Sequence, residues 1–219
     1  MSEGKMIVIS GFSGAGKGTL MKELMRLYAD KYALSISATT RSMREGEKDG
    51  VDYFFVTKEK FEAMIAADEL VEYARYVENY YGTPKAYVNE QLIAGKNVIL
   101  EIEIQGALNI KKLFPQAILM FVTAPSAAEL KRRLIGRGTE TADVILARLS
   151  RAIEESKGIE NYDYLIINDS VEQSVALIDQ LIYNERSGKT ECNEDQRVIH
   201  HMELINQIRT ELTGFAKGE

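Results

Sequence analysis

The residues best suited to chemistry gather at Gly11-Phe12-Ser13-Gly14-Ala15-Gly16-Lys17-Gly18-Thr19. Small residues let successive backbone N–H groups converge on anionic oxygens, and a helix N-terminus aimed at the same point adds to the attraction. Gly11, Gly14 and Gly16 supply the clearance, and Lys17 falls where a lysine side chain reaches the β- and γ-phosphates of a nucleoside triphosphate. The match to G-x-x-x-x-G-K-[ST] departs at Gly18, which takes the place of the hydroxyl that usually meets the metal; Thr19 is the nearest replacement.

Three further groups carry charge in patterns that chemistry can use. Glu101 and Glu103 alternate with apolar residues in the run from Asn97 to Ile104, which as a strand places both carboxylates on one face. Ser37 to Gly50 is a polar loop containing Thr39-Thr40-Arg41 and Arg44, with too little apolar periodicity for a core element, and long polar loops in compact domains are often functional. Arg132, Arg133, Arg137, Arg148 and Arg151 lie in a helical hairpin. Such residues usually form a solvated face, but beside a phosphate loop they can close over phosphates as a lid.

Regular elements must hold these groups in place. The apolar run Met6 to Ile9, the loop, and a helix from Lys17 towards Tyr28 with Leu20, Leu24 and Leu27 on one face make a strand, loop and helix, followed by a strand over Ala33 to Ile36. Strands are expected at Tyr53 to Val56 and Leu70 to Tyr76, the latter ending at Asn79 to Pro84, with a helix capped by Thr57 between them. Pro84 should occupy the first position of the next helix, which Gly95 closes. A helix around Ala107 to Leu113, a strand over Ala117 to Val122, a helix opened by Ser126 and Glu129, a strand over Tyr164 to Asn168 and a helix opened by Ser170 and Gln173 follow. Val198, Met202, Ile205, Ile208 and Leu212 form a helical stripe expected to pack on the chain's own core or a second subunit.

The 219 residues, 45% of them hydrophobic, suffice for one sizeable α/β core with insertions. A net charge of −6 argues against a general nucleic-acid or acidic-membrane binder, so any basic site is local. One cysteine, Cys192, excludes an intramolecular disulfide, and the two histidines, His200 and His201, have no metal-ligand spacing around them. No signal-peptide pattern or membrane-length apolar run appears, and the expected location is cytoplasmic.

The phosphate loop, the Thr39-Thr40-Arg41 loop, Asn79-Tyr80-Tyr81-Gly82-Thr83 and Arg137-Gly138-Thr139, in this order, resemble the guanylate kinases over about residues 5 to 186. The resemblance implies an α/β fold: a P-loop parallel sheet core with helices on both faces, an α+β GMP-binding insertion and a helical lid. The expected division is core with the loop over 1–36, insertion over 37–90, core over 91–125, lid region over 126–158, core over 159–187 and a C-terminal helical extension over 188–219.

By the same resemblance, Ser37, Thr83, Glu72 and Glu103 face the guanine base, and Arg41, Arg44, Tyr53 and Tyr81 hold the acceptor phosphate. Ser13, Gly14, Ala15, Gly16, Lys17, Gly18 and Thr19 wrap the ATP phosphates, Arg137 and Arg148 close from the lid, Arg133 is a weaker candidate, and Asn168 meets the adenine edge. Lys17, Arg41, Arg137 and Arg148 are the expected catalytic group. Mg²⁺ accompanies ATP, held mostly by phosphates and waters, with Thr19 a weak protein contact and Glu101 a candidate behind it.

The substrates implied are ATP and GMP, with dGMP as a further acceptor, in a monomer or homodimer that binds neither nucleic acid nor membrane. Glu103 stands where the family usually has aspartate, Met43 where proline is common, and Gly18 where serine is frequent. The rival readings are a guanylate-kinase-like interaction module and a P-loop kinase for another small phosphorylated acceptor.

Overall fold

The computed structural model describes residues 3–76, 78–135, 148, 150 and 152–217. In chain order the strands are β1 (Met6–Gly11), β2 (Tyr32–Leu34), β3 (Ala38–Thr39), β4 (Phe54–Phe55), β5 (Leu70–Tyr76), β6 (Asn79–Pro84), β7 (Asn97–Glu101), β8 (Ile118–Thr123) and β9 (Tyr164–Ile167). The helices are α1 (Lys17–Leu27), α2 (Lys58–Ala66), α3 (Lys85–Ile93), α4 (Ile104–Leu113), α5 (Ala127–Ile135), α6 (Val171–Ser187) and α7 (Met202–Lys217). Two compact units result, one of Met1–Val8 with Tyr28–Ala117, the other of Ile9–Leu27 with Ile118–Glu219.

In the first unit β2 and β7 pair in parallel, Tyr32 opposite Asn97 and Leu34 opposite Ile99, and Lys5, just before β1, accepts the Val98 N–H of β7 at 2.9 Å. A second sheet runs in the order β4-β3-β6-β5, with β5 and β6 an antiparallel hairpin. Its apolar face has a core of its own: Ala38, Phe61 and Leu70 are buried, Phe54, Val56, Met64, Ile65 and Tyr80 pack on them, and the Phe61 and Tyr80 rings stack at 5.2 Å. Thr57 caps α2 by accepting the Lys60 N–H, as its position before the helix dictates.

In the second unit β8 and β9 pair in parallel from Met120 opposite Tyr164 to Thr123 opposite Ile167. Every residue of β1 and of β8 is buried, the pattern of strands covered on both faces. Ser126 caps α5 by accepting the Glu129 N–H, Ser170 caps α6 through Gln173, and α1 packs on α6. The buried face of α1 is Leu20, Met21 and Leu24, whereas Leu27 is 44% exposed, so Met21 rather than Leu27 completes the stripe.

Four sequence expectations change. Ala38 and Thr39, inside the polar loop, form buried β3, because β6 offers an edge they can pair with. Asn79 to Pro84 is a further strand, β6, rather than only the end of the preceding one: its tyrosines and threonine suit a pleated sheet, and Pro84 lies at the strand end, where its missing donor costs least. Pro84 is therefore the cap residue before α3, one position earlier than expected. Strand β7 stops at Glu101, and Ile104, with buried Ala107 and Ile110 at threefold spacing, belongs to α4, whose cap residue is Glu103. Glu101 and Glu103 do not share a strand face.

The stripe after residue 188 buries itself within the chain. Two 3-10 turns, Thr190–Gln196 and Val198–His201, lead into α7, and Val198, Ile205, Ile208 and Leu212 are all buried. Asn193, 1% exposed, donates to the Leu181 carbonyl at 3.1 Å and the Tyr164 hydroxyl at 3.2 Å, while accepting from Asn184 at 2.8 Å. Arg209 donates to the Ser156 carbonyl and to Glu160, and Lys131 of α5 sits over the Phe215 ring at 4.1 Å. No described helix is long and apolar enough to cross a membrane.

Burying one such aliphatic side chain contributes about 1.5–3 kcal/mol, so losing these aliphatics removes an amount comparable to the whole stability of a domain. Truncation after Ser187 should lower the melting temperature by more than about 10 °C. A calorimetric scan superposing on that of the full chain would refute this.

Candidate active site

The glycine loop joins β1 to α1. Gly11 approaches β8 so closely that an added Cβ would lie 2.3 Å from the Val122 carbonyl oxygen, and Gly14 and Gly16 take φ of 86° and 91°. The loop carbonyls are engaged internally: Lys17 Nζ donates to Gly11 at 2.6 Å and Phe12 at 3.3 Å, and the Ala15 N–H donates to Phe12. The Ser13 N–H donates to a Glu155 carboxylate oxygen at 3.2 Å, so at least one loop amide already serves an anionic group. Gly18 and Thr19 are exposed, and a Cβ at Gly18 would meet nothing within 4 Å; packing does not require glycine there.

Asn168, directly after β9, is 3% exposed; its amide donates to the Ala15 carbonyl at 2.7 Å and accepts from the Ser174 hydroxyl at 3.3 Å. A Cβ on Gly16 would fall 2.6 Å from that amide nitrogen. Both ends of the side chain therefore brace the loop. Arg133 of α5 adds to the brace, donating to the Asn168 carbonyl at 3.0 Å and Ala15 at 3.5 Å while Glu129 holds it at 2.7 Å. The Arg132 and Arg133 guanidiniums hold the Glu129 carboxyl down at about 2, so it stays ionised across the neutral range. Sequence spacing shows the Glu129 and Arg133 pair at i, i+4 but not its purpose.

The residues expected to read a base lie in the first unit. Glu72 and Thr83 are cross-strand partners on β5 and β6, and the Thr83 hydroxyl donates to Glu72 Oε1 at 2.8 Å. Thr83 is fully buried and Glu72 8% exposed; burial pushes the Glu72 carboxyl up, and the Thr83 hydrogen bond opposes that only in part. Thr83 is the one hydrogen-bond partner of this carboxylate among the described residues. Glu103 heads α4 without capping it, three residues before Gly106, whose α-carbon faces Glu72 Oε2. Ser37 precedes β3 and accepts the Phe54 N–H through its carbonyl.

The expected phosphate ligands cluster as well. The Arg41 guanidinium lies 5.3 Å from the Tyr53 ring centre, and the Tyr53 and Tyr81 rings are 6.1 Å apart, edge to face. Glu47, which sequence reasoning misses, forks Arg41 at 2.8 and 3.0 Å and accepts the Arg44 N–H at 2.8 Å. The fork, ahead of any other neighbour, raises the Arg41 pKa and lowers that of Glu47. Its only sequence signal is an acidic residue six places after Arg41 in a loop. The Arg44 side chain is exposed.

Arg137, with Gly138, Thr139 and Arg151, lies outside the described residues; Arg148 is helical and half-buried. Among the described residues no cluster of three histidine, cysteine, aspartate or glutamate side chains could hold a metal ion.

Known proteins give this geometry a context. The guanylate kinase family model matches residues 3–185. A guanylate kinase of Bacillus anthracis is 51% identical over 205 residues, covering 94% of this chain and 98% of the relative. One of Streptococcus pneumoniae is 49% identical over 207 residues, covering 94% and 97%. A crystal structure of guanylate kinase from Anaplasma phagocytophilum superposes with a TM-score of 0.67 at 31% identity, covering 84% of this chain and 87% of that one. A family model matching most of the chain, with relatives near half identity over nearly all of it, establishes that this chain belongs to the guanylate kinase family.

Proposed function

We propose that the chain transfers the γ-phosphoryl group of ATP to GMP, giving ADP and GDP. The observation that carries the acceptor's identity is the buried Glu72 carboxylate, whose one hydrogen-bond partner among the described residues is Thr83. An ionised carboxylate only accepts hydrogen bonds, and one held largely out of water is stabilised when further donors reach it. Guanine brings N1–H and an exocyclic amino group, both donors, whereas adenine turns an acceptor at N1 towards the same place. Thr83, Ser37 and Glu103 complete the base site, and dGMP is a further acceptor.

Arg41, Arg44, Tyr53 and Tyr81 hold the acceptor phosphate. The Glu47 fork aligns the Arg41 guanidinium while the tyrosines supply neutral donors. With a second phosphate pKa near 6, the attacking oxygen is already ionised at neutral pH, and no general base is needed. Lys17 and the amides of residues 13 to 19 bind the donor phosphates, with Arg148 and Arg137 adding positive charge as the γ-phosphoryl group moves. Asn168 supports the donor site by fixing Ala15, in addition to any adenine contact.

The donor set fits Mg²⁺ held largely by phosphates and waters. The loop offers the Thr19 hydroxyl, and the described residues contain no acidic cage of the kind a dedicated metal site requires. When bound, the ion neutralises charge on the β- and γ-phosphate oxygens. The reaction belongs in the cytoplasm, in a monomer or homodimer. The interaction-module reading is not favoured, because the relatives at this identity carry the enzyme's name.

Lys17→Ala should lower kcat by about 10²–10³, the cost of removing one fixed donor to developing charge, while moving the melting temperature by only a few degrees. Turnover near that of the native protein in a coupled assay would remove Lys17 from the mechanism. Glu72→Gln keeps the size but presents donors to adenine N1, so the GMP/AMP ratio of kcat/KM should fall at least roughly tenfold, about 1.4 kcal/mol. An unchanged ratio would show that Glu72 does not read the base.

A further inference from the structure

We infer that Gly106, in the first turn of α4, is a specificity-determining position for the acceptor base: the absence of a side chain there leaves the Glu72 carboxylate room to point at it. The inference rests on the reading of Glu72 as the base acceptor. A Cβ built on Gly106 would lie 3.1 Å from Glu72 Oε2, 3.7 Å from its carboxyl carbon and 3.2 Å from Ile102 Cδ1. Glu72 Oε1 is held by Thr83 at 2.8 Å, so the carboxylate cannot turn away from residue 106 without loosening that bond.

Backbone conformation does not call for glycine at this position. Gly106 is not among the positive-φ residues and sits within a regular helix, where alanine is favoured over glycine. The chain thus gives up helix stability at a residue whose side chain would press on Glu72 Oε2. The first turn of a helix also favours negative charge beside it, which suits an ionised Glu72 at this spot. A methyl group here would displace Oε2 by a few tenths of an ångström, which matters to a hydrogen bond whose strength depends on distance and angle.

Because helix propensity and site geometry predict opposite signs, one substitution separates them. Gly106→Ala should leave the melting temperature unchanged or raise it, leave KM for ATP unchanged, raise KM for GMP roughly tenfold and lower the GMP/AMP ratio of kcat/KM by a similar factor. Glu72→Asp, which draws the carboxylate back by one methylene, should cost less in the Gly106→Ala background than in the native chain, a non-additivity expected of touching residues. An unchanged KM for GMP in Gly106→Ala, or strict additivity with Glu72→Asp, overturns the inference. So does a lowered melting temperature with equal losses towards ATP and GMP, which would make Gly106 a packing residue only. If Glu72→Gln shifts the GMP/AMP ratio while Gly106→Ala does not, the base reading survives without Gly106. If Glu72→Gln leaves the ratio unchanged, the base reading itself fails and this inference falls with it.

Discussion

A loop can present its amides to an anion only if its carbonyls are turned elsewhere and paired, and the second unit is arranged around that constraint. The Gly11 and Phe12 carbonyls take the Lys17 ammonium, and the Ala15 carbonyl takes the Asn168 amide with Arg133 behind it. Each partner is then fixed in turn. Asn168 is set by the end of β9 and by Ser174 of α6; Arg133 is set by Glu129 within α5. The positive φ of Gly14 and Gly16 is the local part of this arrangement, and the close approach of Asn168, whose amide nitrogen would lie 2.6 Å from a Cβ on Gly16, is the long-range part. The glycines therefore answer to two demands, conformation and close approach, that a motif alone does not distinguish.

The first unit faces the reverse problem, burying a negative charge rather than displaying donors. Raising the Glu72 pKa by desolvation sets the sign of its effect on folding. Its contribution is most favourable below the unfolded carboxyl pKa, where both states hold the proton, and is lost as pH rises through the folded value. At neutral pH the unit thus tolerates a cost at Glu72. The cluster around Phe61 and Leu70 stabilises the hairpin that carries it, independently of any charge. Arg41 shows the cheaper solution for an ionised side chain: a forked partner, Glu47, on the same loop.

Much of this was legible in the sequence where one local rule decides the outcome. The glycine loop with its flanking strand and helix, the Thr57, Ser126 and Ser170 caps, and the extent of β5 follow from short patterns. What escaped depends on partners far along the chain. β3 and β6 exist because they pair with each other, and Pro84, read as a helix start, hides the strand that precedes it. The Glu101 to Ile104 alternation satisfies strand periodicity, but Ile104 also fits a helix with Ala107 and Ile110, and burial of those two residues decides for the helix. In the candidate site, Glu72 and Thr83 could be paired by resemblance, whereas Glu47 and Glu155 carry no spacing that marks them, since their roles arise only when the loops fold.

The C-terminal residues extend the same logic past the segment that the family model matches. An apolar helical stripe is equally compatible with a second subunit and with the chain's own core, and hydrophobicity alone does not choose. The polar groups choose, because they need specific partners rather than mere coverage. Asn193 is buried with its amide placed on Leu181, Asn184 and Tyr164, and Tyr164 in turn shares its hydroxyl with Glu185 and its ring face with Arg197. Satisfying all of these groups at once holds the 3-10 turns against α6 and β9, and α7, which follows directly, buries Ile205, Ile208 and Leu212. A stripe that reads as generic in one dimension is thus committed to its own unit by a few hydrogen bonds that precede it in the chain.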